Sequence, residues 1–281
     1  MSNRNSAWFA LVAIVAVGCG GGGDAGGGNE GMEGGEMEAA APAVDPAIAA
    51  TISGTVSFTG TPPANEPIDM SEEPVCADKY DTQPMTEKYE VADGHLANVF
   101  VFVSEGLGDQ KFPTAQQPVE IDQDGCRYHP HVLGIQVGQP FLIHNSDDVL
   151  HNINTESTKN RPFNISQPSA GMESTRTFNT AEVMIPVKCD VHGWMHAYIG
   201  VTASPYHAVT DASGNFTIEG LPPGTYTIEA WHEELGAQTM SITVGESETG
   251  TAEFTYEENA AYAPVPMGEP LVVGHGEHAA G

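Results

Sequence analysis

Hydrophobic and polar positions alternate along most of the chain from residue 51 onward, in short runs rich in β-branched and aromatic residues. A period of two is typical of β-strands with one buried face, and these runs lack the 3.6-residue period of a helix. Turn-forming pairs such as Asp124-Gly125 and Ser213-Gly214 separate the runs. The pattern therefore predicts an all-β fold, with strands at 52–58, 99–103, 119–122, 132–137, 141–144, 151–154, 174–178, 183–187, 198–202, 215–218, 225–231, 239–244 and 251–256.

Composition agrees with a chain of many strands and turns. The 281 residues include 32 Gly and 20 Pro, and 40% of them are hydrophobic, which is enough to build real cores. The length predicts roughly two domains. Nine Lys and Arg stand against 38 Asp and Glu, so the formal net charge is −29. Because a phosphate backbone needs clustered cations, this charge argues against nucleic acid as a partner and leaves a basic protein partner open.

The N-terminal residues have the features of an export signal. Arg4 gives a weak positive charge, and the apolar run at 8–18 is too short to span a membrane. The run ends in AVGC at 16–19, which resembles the lipobox of bacterial lipoproteins; an ordinary cleaved signal is the alternative. In either case disulfides persist in the compartment of the mature chain, which we expect to be the periplasm or cell envelope. We predict a lipoprotein signal peptide at 1–19 lipidated at Cys19, a disordered Gly/Glu-rich linker at 20–50, and a disordered tail at 258–281.

Four side chains of the middle region form a set of metal ligands. Cys189, His192 and Met195 follow one another with the spacing C-x2-H-x2-M, and His151 lies upstream, at the start of the predicted strand 151–154. One thiolate, two imidazoles and a thioether suit copper, because soft sulfur ligands favour Cu(I) and imidazoles accept both oxidation states. Zinc prefers a fourth strong ligand or an open water position. A catalytic Cys–His pair would not need the methionine or the second histidine.

The sequence around these residues resembles the cupredoxins, and within them the amicyanin and plastocyanin type. Residues 129–153, HPHVLGIQVGQPFLIHNSDDVLHNI, resemble the family's first ligand segment, and residues 183–202 resemble its closing strand, Cys-x2-His loop and strand. The resemblance covers about 119–204 and implies a Greek-key cupredoxin sandwich at 118–204. It departs from the family in the Val149-Leu150 pair before the first histidine and in an insert at 157–171. The ligands that it implies for one copper ion are His151, Cys189, His192 and Met195.

The resemblance also implies a function. Such a domain would act as a one-electron carrier and not as an enzyme, with the imidazole edge of His192 at the surface where a partner docks. The partner would be another exported redox protein, such as a c-type cytochrome or a dehydrogenase, and the lipid anchor would hold the chain at a membrane. A copper-delivery protein and a metal-free binding protein of the cell envelope are the alternatives.

Several other histidines lie near the implied ligands in sequence. A second metal site is one interpretation and ordinary structural histidines are the other, favoured here because one of them lies within a predicted strand. The chain contains a single His-x-His pair in this region, which argues against the trinuclear cluster of an oxygen-reducing copper enzyme. The residues concerned are His129, His131, His144 and His196.

The cysteine count leaves one pair to assign. With Cys19 taken by lipid and Cys189 by copper, Cys76 and Cys126 remain, and in an exported protein a disulfide between them is the economical assignment. It would restrain the irregular segment at 62–92. Two buried free thiols are the alternative.

The C-terminal region resembles a second known module. Residues 208–234, AVTDASGNFTIEGLPPGTYTIEAWHEE, resemble the carboxypeptidase regulatory-like, transthyretin-type β-sandwich. That family often begins with strands like those at 52–58 and 97–103, so we expect residues 51–117 to supply N-terminal strands to the sandwich at 205–257. The resulting hypothesis is a nested chain, with the cupredoxin inserted into the second sandwich; two separate consecutive domains are the alternative. The whole arrangement is similar to exported cupredoxin-domain proteins of the methylamine-utilisation-like kind.

Overall fold

The computed structural model describes residues 44–258, which form one compact unit. The predicted signal peptide, the lipidation site Cys19, most of the predicted linker and nearly all of the predicted tail lie outside the described residues. Within residues 44–258, no helix is long and apolar enough to cross a membrane.

The described chain consists almost entirely of β-strands, which confirms the predicted all-β class. Its only helix is the four-residue α1 (Pro74–Ala77). The strands are β1 (Ala50–Thr59), β2 (Val91–Ala92), β3 (His95–Leu96), β4 (Phe100–Glu105), β5 (Val119–Asp124), β6 (Arg127–His129), β7 (Val132–Gln136), β8 (Phe141–Asn145), β9 (His151–Thr155), β10 (Asn164–Gln167), β11 (Met172–Arg176), β12 (Glu182–Lys188), β13 (His196–Thr202), β14 (His207–Val209), β15 (Asn215–Leu221), β16 (Gly224–His232), β17 (Gly236–Val244) and β18 (Thr249–Glu257).

The strands form four sheets that pack as two sandwiches. In the first sandwich, a sheet of β15, β1, β3 and β2, with β18 also paired to β1, faces a sheet in the order β14-β4-β16-β17. In the second sandwich, a sheet in the order β10-β9-β12-β13-β7 faces one in the order β11-β8-β5-β6. Each sandwich has its own apolar core, built from the inward positions of alternating strands.

The second sandwich is nested within the first. The chain leaves the first sandwich after β4, forms β5 to β13, and returns at β14. Strand β1 pairs antiparallel with β15 and parallel with β18, while β4 pairs with β14 and β16. The strands at 52–58 and 225–231 lie in the two facing sheets of the first sandwich and share its core, while β16 pairs with β4 and β17 within its own sheet.

Strand β4 joins the two sandwiches because both of its faces are buried. Val101 and Val103 belong to the core of the first sandwich, whereas Phe100 lies over β7 and β13 of the second. Gly134 and Gly200 face each other across those two strands. A Cβ built on Gly200 would lie 2.4 Å from the Phe100 ring, so only glycine permits this close approach.

Candidate metal centre

Three ligating side chains converge at one end of the second sandwich. His151 begins β9, Cys189 follows the last residue of β12, and His192 lies in the loop between β12 and β13. Their ligand atoms all lie within 4.8 Å of one another, and all three side chains are buried. The two Nδ1 atoms of His151 and His192 are 2.9 Å apart, and the Cys189 Sγ is 3.9 Å from the His192 Nδ1.

Local hydrogen bonds explain why these residues meet. Strands β9 and β12 are antiparallel neighbours, so the start of β9 lies beside the residues that follow β12. The Cys189 N–H donates to the Met195 carbonyl at 3.2 Å, and the Met195 N–H donates to the His192 carbonyl at 2.9 Å. The loop is thereby closed on itself and presents Cys189 and His192 on the same side.

The Cys189 thiol is strongly acidified. Burial raises its pKa, but the contacts with His151 and His192 outweigh burial and lower the pKa to about 5. The backbone N–H of His192 also donates to the Cys189 sulfur at 3.4 Å. At neutral pH the side chain is therefore a thiolate, the form that binds metals.

His151 is oriented by a buried carboxylate that sequence analysis did not identify. Its Nε2 lies 2.9 Å from Asp147 Oδ2, which turns Nδ1 toward Cys189 and His192. Asp147 also forms an ion pair with Lys79 at 2.6 Å and accepts a hydrogen bond from the Gly125 N–H at 3.0 Å. Burial opposes ionisation of Asp147, but these partners hold its pKa below the usual range. A carboxylate behind a ligating histidine fixes the ring and increases its basicity.

Asp147 could not have been chosen from the sequence. It stands in a polar turn, Asn-Ser-Asp-Asp at 145–148, where any of the side chains could have faced solvent. The available signal was its position four residues before His151, which was not sufficient by itself. Its partner Lys79 belongs to a distant irregular segment whose path no pattern predicted.

Met195 is buried in the same apolar core as Cys189, whereas His196 is not buried. The His196 Nε2 lies 2.9 Å from the Gly193 carbonyl oxygen. The fourth ligand implied by the resemblance therefore has the surroundings of a core side chain, and its exposed neighbour is engaged with the loop backbone.

The other histidines of the region have acidic or solvent surroundings. The His131 Nε2 is 2.6 Å from Glu233 Oε1, and the His144 Nδ1 is 3.3 Å from Asp122 Oδ1. His129 is exposed. Among residues 44–258, the second cluster of candidate ligands consists of Cys126, Asp147 and His151. Cys126 is already bonded to Cys76, with an Sγ–Sγ distance of 2.00 Å.

The expectation that the edge of His192 is exposed is wrong. His192 has 0% exposure, and the Cys76 Sγ lies 3.9 Å from its Nε2. Residues 61–90, which we name the cap, fold over this end of the second sandwich. The resemblance to the cupredoxins does not include these residues, so it could not predict how they shield the imidazole.

The cap is attached at several points besides the disulfide. Lys79 pairs with Asp147, and the Tyr80 hydroxyl donates to the Gly125 carbonyl at 2.7 Å. Farther along, Glu87 pairs with Arg127 at 2.6 Å. The side chains of Ile68, Met70 and Cys76 are buried in the same core as Cys189. The cap is thus a packed part of the end that holds the candidate metal ligands.

The donor set fits copper on chemical grounds. An acidified thiolate and two imidazoles are the strong ligands that an electron-transfer copper site uses, and the buried thioether of Met195 nearby could supply a weaker fourth ligand. The ligating atoms come from two separate segments, and strand pairing and loop hydrogen bonds fix their places.

Comparisons with known proteins cover separate parts of the chain. The model of the carboxypeptidase regulatory-like domain matches residues 196–257. No curated protein sequence matches the chain significantly.

Among solved structures, the chain is similar to a Cu-containing nitrite reductase from Thermus scotoductus SA-01, with 22% identity and a TM-score of 0.30. That match covers 34% of this chain and 24% of the reductase, so it spans about a quarter of the length of that protein. A purple cupredoxin from Nitrosopumilus maritimus matches with 22% identity over 30% of this chain and 99% of its own, with a TM-score of 0.26. A mutant of amicyanin in the Cu(I) form matches with 16% identity over 36% of this chain and 98% of its own, with a TM-score of 0.28.

Proposed function

We propose that the protein is an exported blue copper protein that carries single electrons. The observation that carries the proposal is the convergence of the Cys189 thiolate with the Nδ1 atoms of His151 and His192 in a buried site. Bound there, copper would supply a one-electron couple between Cu(I) and Cu(II). Cys189, His151 and His192 would be its strong ligands, and Met195 would supply a weaker thioether ligand.

The protein's contribution is to hold these side chains nearly fixed. Asp147 fixes the ring of His151, and the backbone bonds between Cys189 and Met195 fix the loop. The cap and the sandwich core exclude water from the ligands. A site with so little freedom needs little rearrangement when its charge changes by one, which favours electron transfer over substrate turnover.

We further propose that this carrier is anchored to a membrane and exchanges electrons with another exported protein. The export signal at 1–19 and the implied lipid on Cys19 would anchor the chain to a membrane in the periplasm or cell envelope. Its partner would be another exported redox protein, such as a c-type cytochrome or a dehydrogenase. Membrane fractionation tests the anchor: Cys19→Ala should move the exported protein to the soluble fraction, and unchanged membrane association would refute it.

The visible spectrum of the copper-loaded, oxidised protein tests the function. We expect an intense thiolate-to-Cu(II) absorption that is lost on reduction and in Cys189→Ser. His151→Ala should lose or strongly alter the band, since it removes one of three strong ligands. His144→Ala is the matched control, because this imidazole faces Asp122 and is not one of the clustered ligands, so its loss should leave the band unchanged. A colourless wild-type protein with Cu(II) bound would refute the carrier.

Copper delivery is a second candidate, because the burial of His192 under the cap removes the expected edge for electron exchange. A delivery protein would pass the ion itself to an acceptor, whereas a carrier would keep it through many redox cycles. The copper content of the protein after repeated reduction and oxidation in the presence of a Cu(I) chelator separates the two functions. A carrier should keep its copper, whereas a delivery protein should lose it to the chelator.

A further inference from the structure

The cap covers the face of His192 that a docking partner would otherwise reach. His192 is fully buried, and Cys76 of the cap touches its Nε2 at 3.9 Å. The 3.9 Å between Cys76 Sγ and His192 Nε2 is the one through-space step on a path from the imidazole to the surface. From Cys76 the path continues through covalent bonds to its neighbour Val75, whose side chain is 53% exposed. A partner at this end of the molecule therefore meets the cap and not an imidazole.

Exposed apolar side chains lie next in sequence to Cys76 and to the two histidines of the cluster. Among residues 44–258, six large hydrophobic side chains are at least 36% exposed, and three of them are neighbours in sequence of the cluster or of the disulfide. Val75 precedes Cys76, Val191 precedes His192, and Leu150 precedes His151. Exposed apolar side chains beside a candidate functional site are typical of an interaction surface.

The charge of the cap indicates what kind of partner fits. Residues 61–90 contain eight Asp and Glu and two Lys. The two lysines are paired with carboxylates outside the cap, Lys79 with Asp147 and Lys88 with Glu234. Carboxylates near the disulfide, those of Glu72, Asp78 and Asp81, are exposed. The cap therefore exposes an excess of carboxylates, several of them close in sequence to the exposed Val75.

We propose that the cap is the docking surface for a cationic electron-transfer protein, and that Cys76, held in place by its disulfide with Cys126, is the contact through which electrons pass between His192 and that surface. This inference rests on the proposed carrier function. An apolar centre with a charged rim is the usual arrangement at such interfaces, where complementary charge accelerates encounter and sets orientation. The partner would carry lysines or arginines around an apolar patch at the edge of its own cofactor.

The test uses the full chain and a basic c-type cytochrome as the probe, with two readouts. The first is the dissociation constant of the complex with the metal-free chain, and the second is the rate at which the reduced cytochrome bleaches the copper-loaded chain. The cap variant is Glu72→Gln with Asp78→Asn and Asp81→Asn. The matched control removes three exposed carboxylates of the first sandwich, Glu219→Gln with Glu246→Gln and Glu253→Gln.

We expect the cap variant to weaken binding and slow bleaching by roughly three-fold to ten-fold at low ionic strength, and the control variant to change both by less than roughly two-fold. The difference should disappear at high salt because screening removes the electrostatic contribution. Bleaching by ascorbate, an anion, should not slow. Val75→Ser should also weaken binding, whereas Val183→Ser, which changes an exposed valine at the far end of β12, should not.

Equal effects of the cap and control variants would show that only the total charge matters and would overturn the docking surface. The double variant Cys76→Ser with Cys126→Ser tests the second part of the proposal, because the rate of bleaching by the cytochrome should change in opposite directions under the two interpretations. Slower bleaching by the cytochrome supports the connection through Cys76, and faster bleaching shows that the cap merely covers His192 and overturns that connection. A chain that binds the cytochrome but shows no coloured centre would refute the carrier function and leave the docking surface standing.

Discussion

Asn152 ties the two ligand segments to each other. It follows His151 directly, and its Oδ1 accepts a hydrogen bond from the Asp190 N–H at 2.8 Å. The same oxygen lies 3.3 Å from the Cys189 sulfur. The Asn152 Nδ2 donates to Asp190 Oδ2 at 3.1 Å. A single side chain therefore holds Cys189 and the residue that follows it beside His151, so the spacing between Cys189 and His151 is set by polar contacts and not by packing alone.

Met195 should tune the copper without being needed to hold it. A long axial thioether bond is weak compared with the thiolate and imidazole bonds. Met195→Gln puts a harder oxygen ligand in its place, which favours Cu(II) and should lower the reduction potential while the coloured site survives. A ten-fold change in the relative affinity for the two oxidation states corresponds to about 59 mV for one electron. We expect a shift of at least this order in a spectroelectrochemical titration.

His196→Ala is the control for this experiment. His196 is exposed and contacts the Gly193 carbonyl, so its loss should leave the potential unchanged. If His196→Ala shifts the potential and Met195→Gln does not, then His196 is the fourth ligand and the assignment carried over from the cupredoxins is wrong by one residue.

Among the secondary-structure elements, alternation predicted the long strands well because each has one face in a core. Strands β1, β16 and β18 follow the predicted runs closely, and the continuous apolar run at 99–103 becomes β4, which is buried on both faces. The cap was beyond prediction, because its order comes from a disulfide, ion pairs and a few buried side chains and not from a periodic pattern. The C-x2-H spacing placed Cys189 and His192 in one loop, but the proximity of Asp147 and Cys76 depends on contacts distant in sequence.

The loop between β9 and β10 gives a prediction at the scale of an element. Glu182 at the start of β12 accepts hydrogen bonds from Ser157, Thr158 and Asn160, which hold this loop. Burial raises the pKa of Glu182, but these donors outweigh burial and lower it to about 2 from an ordinary 4.5. Because the folded-state pKa is lowered, the stabilisation is complete above pH 4.5 and is lost as the pH falls toward 2.

Glu182→Gln should therefore destabilise the protein at neutral pH by about 2–3 kcal/mol and flatten its stability profile between pH 4.5 and 2. Urea unfolding at a series of pH values measures both effects. Glu173→Gln, which changes an exposed carboxylate on β11, is the control and should follow the wild-type profile. A Glu182→Gln profile parallel to that of the wild type would contradict the role of these hydrogen bonds.

At the scale of the whole molecule, the nested path makes the two sandwiches dependent on each other. Both ends of the second sandwich continue into strands of the first, β4 on one side and β14 on the other. Where the sandwiches touch, Phe100 and Phe102 of β4 pack with Val132 and Met184. The sandwich that holds the candidate metal ligands is therefore supported by a module that contributes none of them.

Phe100→Ala should destabilise both sandwiches together. Its ring is fully buried against Gly134 and Gly200, so the substitution leaves a cavity that the flanking strands cannot easily fill, at a cost of about 3–5 kcal/mol. Tryptophan fluorescence reports on Trp194, in the loop between β12 and β13, and on Trp231 in β16. In the variant and in the wild type alike, its urea midpoint should equal the midpoint from far-ultraviolet circular dichroism. Phe112→Ala is the control, since this partly buried ring packs on Tyr206 within the first sandwich, and its loss should cost less. Two separated transitions in the wild type, or a loss in Phe100→Ala below about 1 kcal/mol, would show that the sandwiches are stable independently of each other.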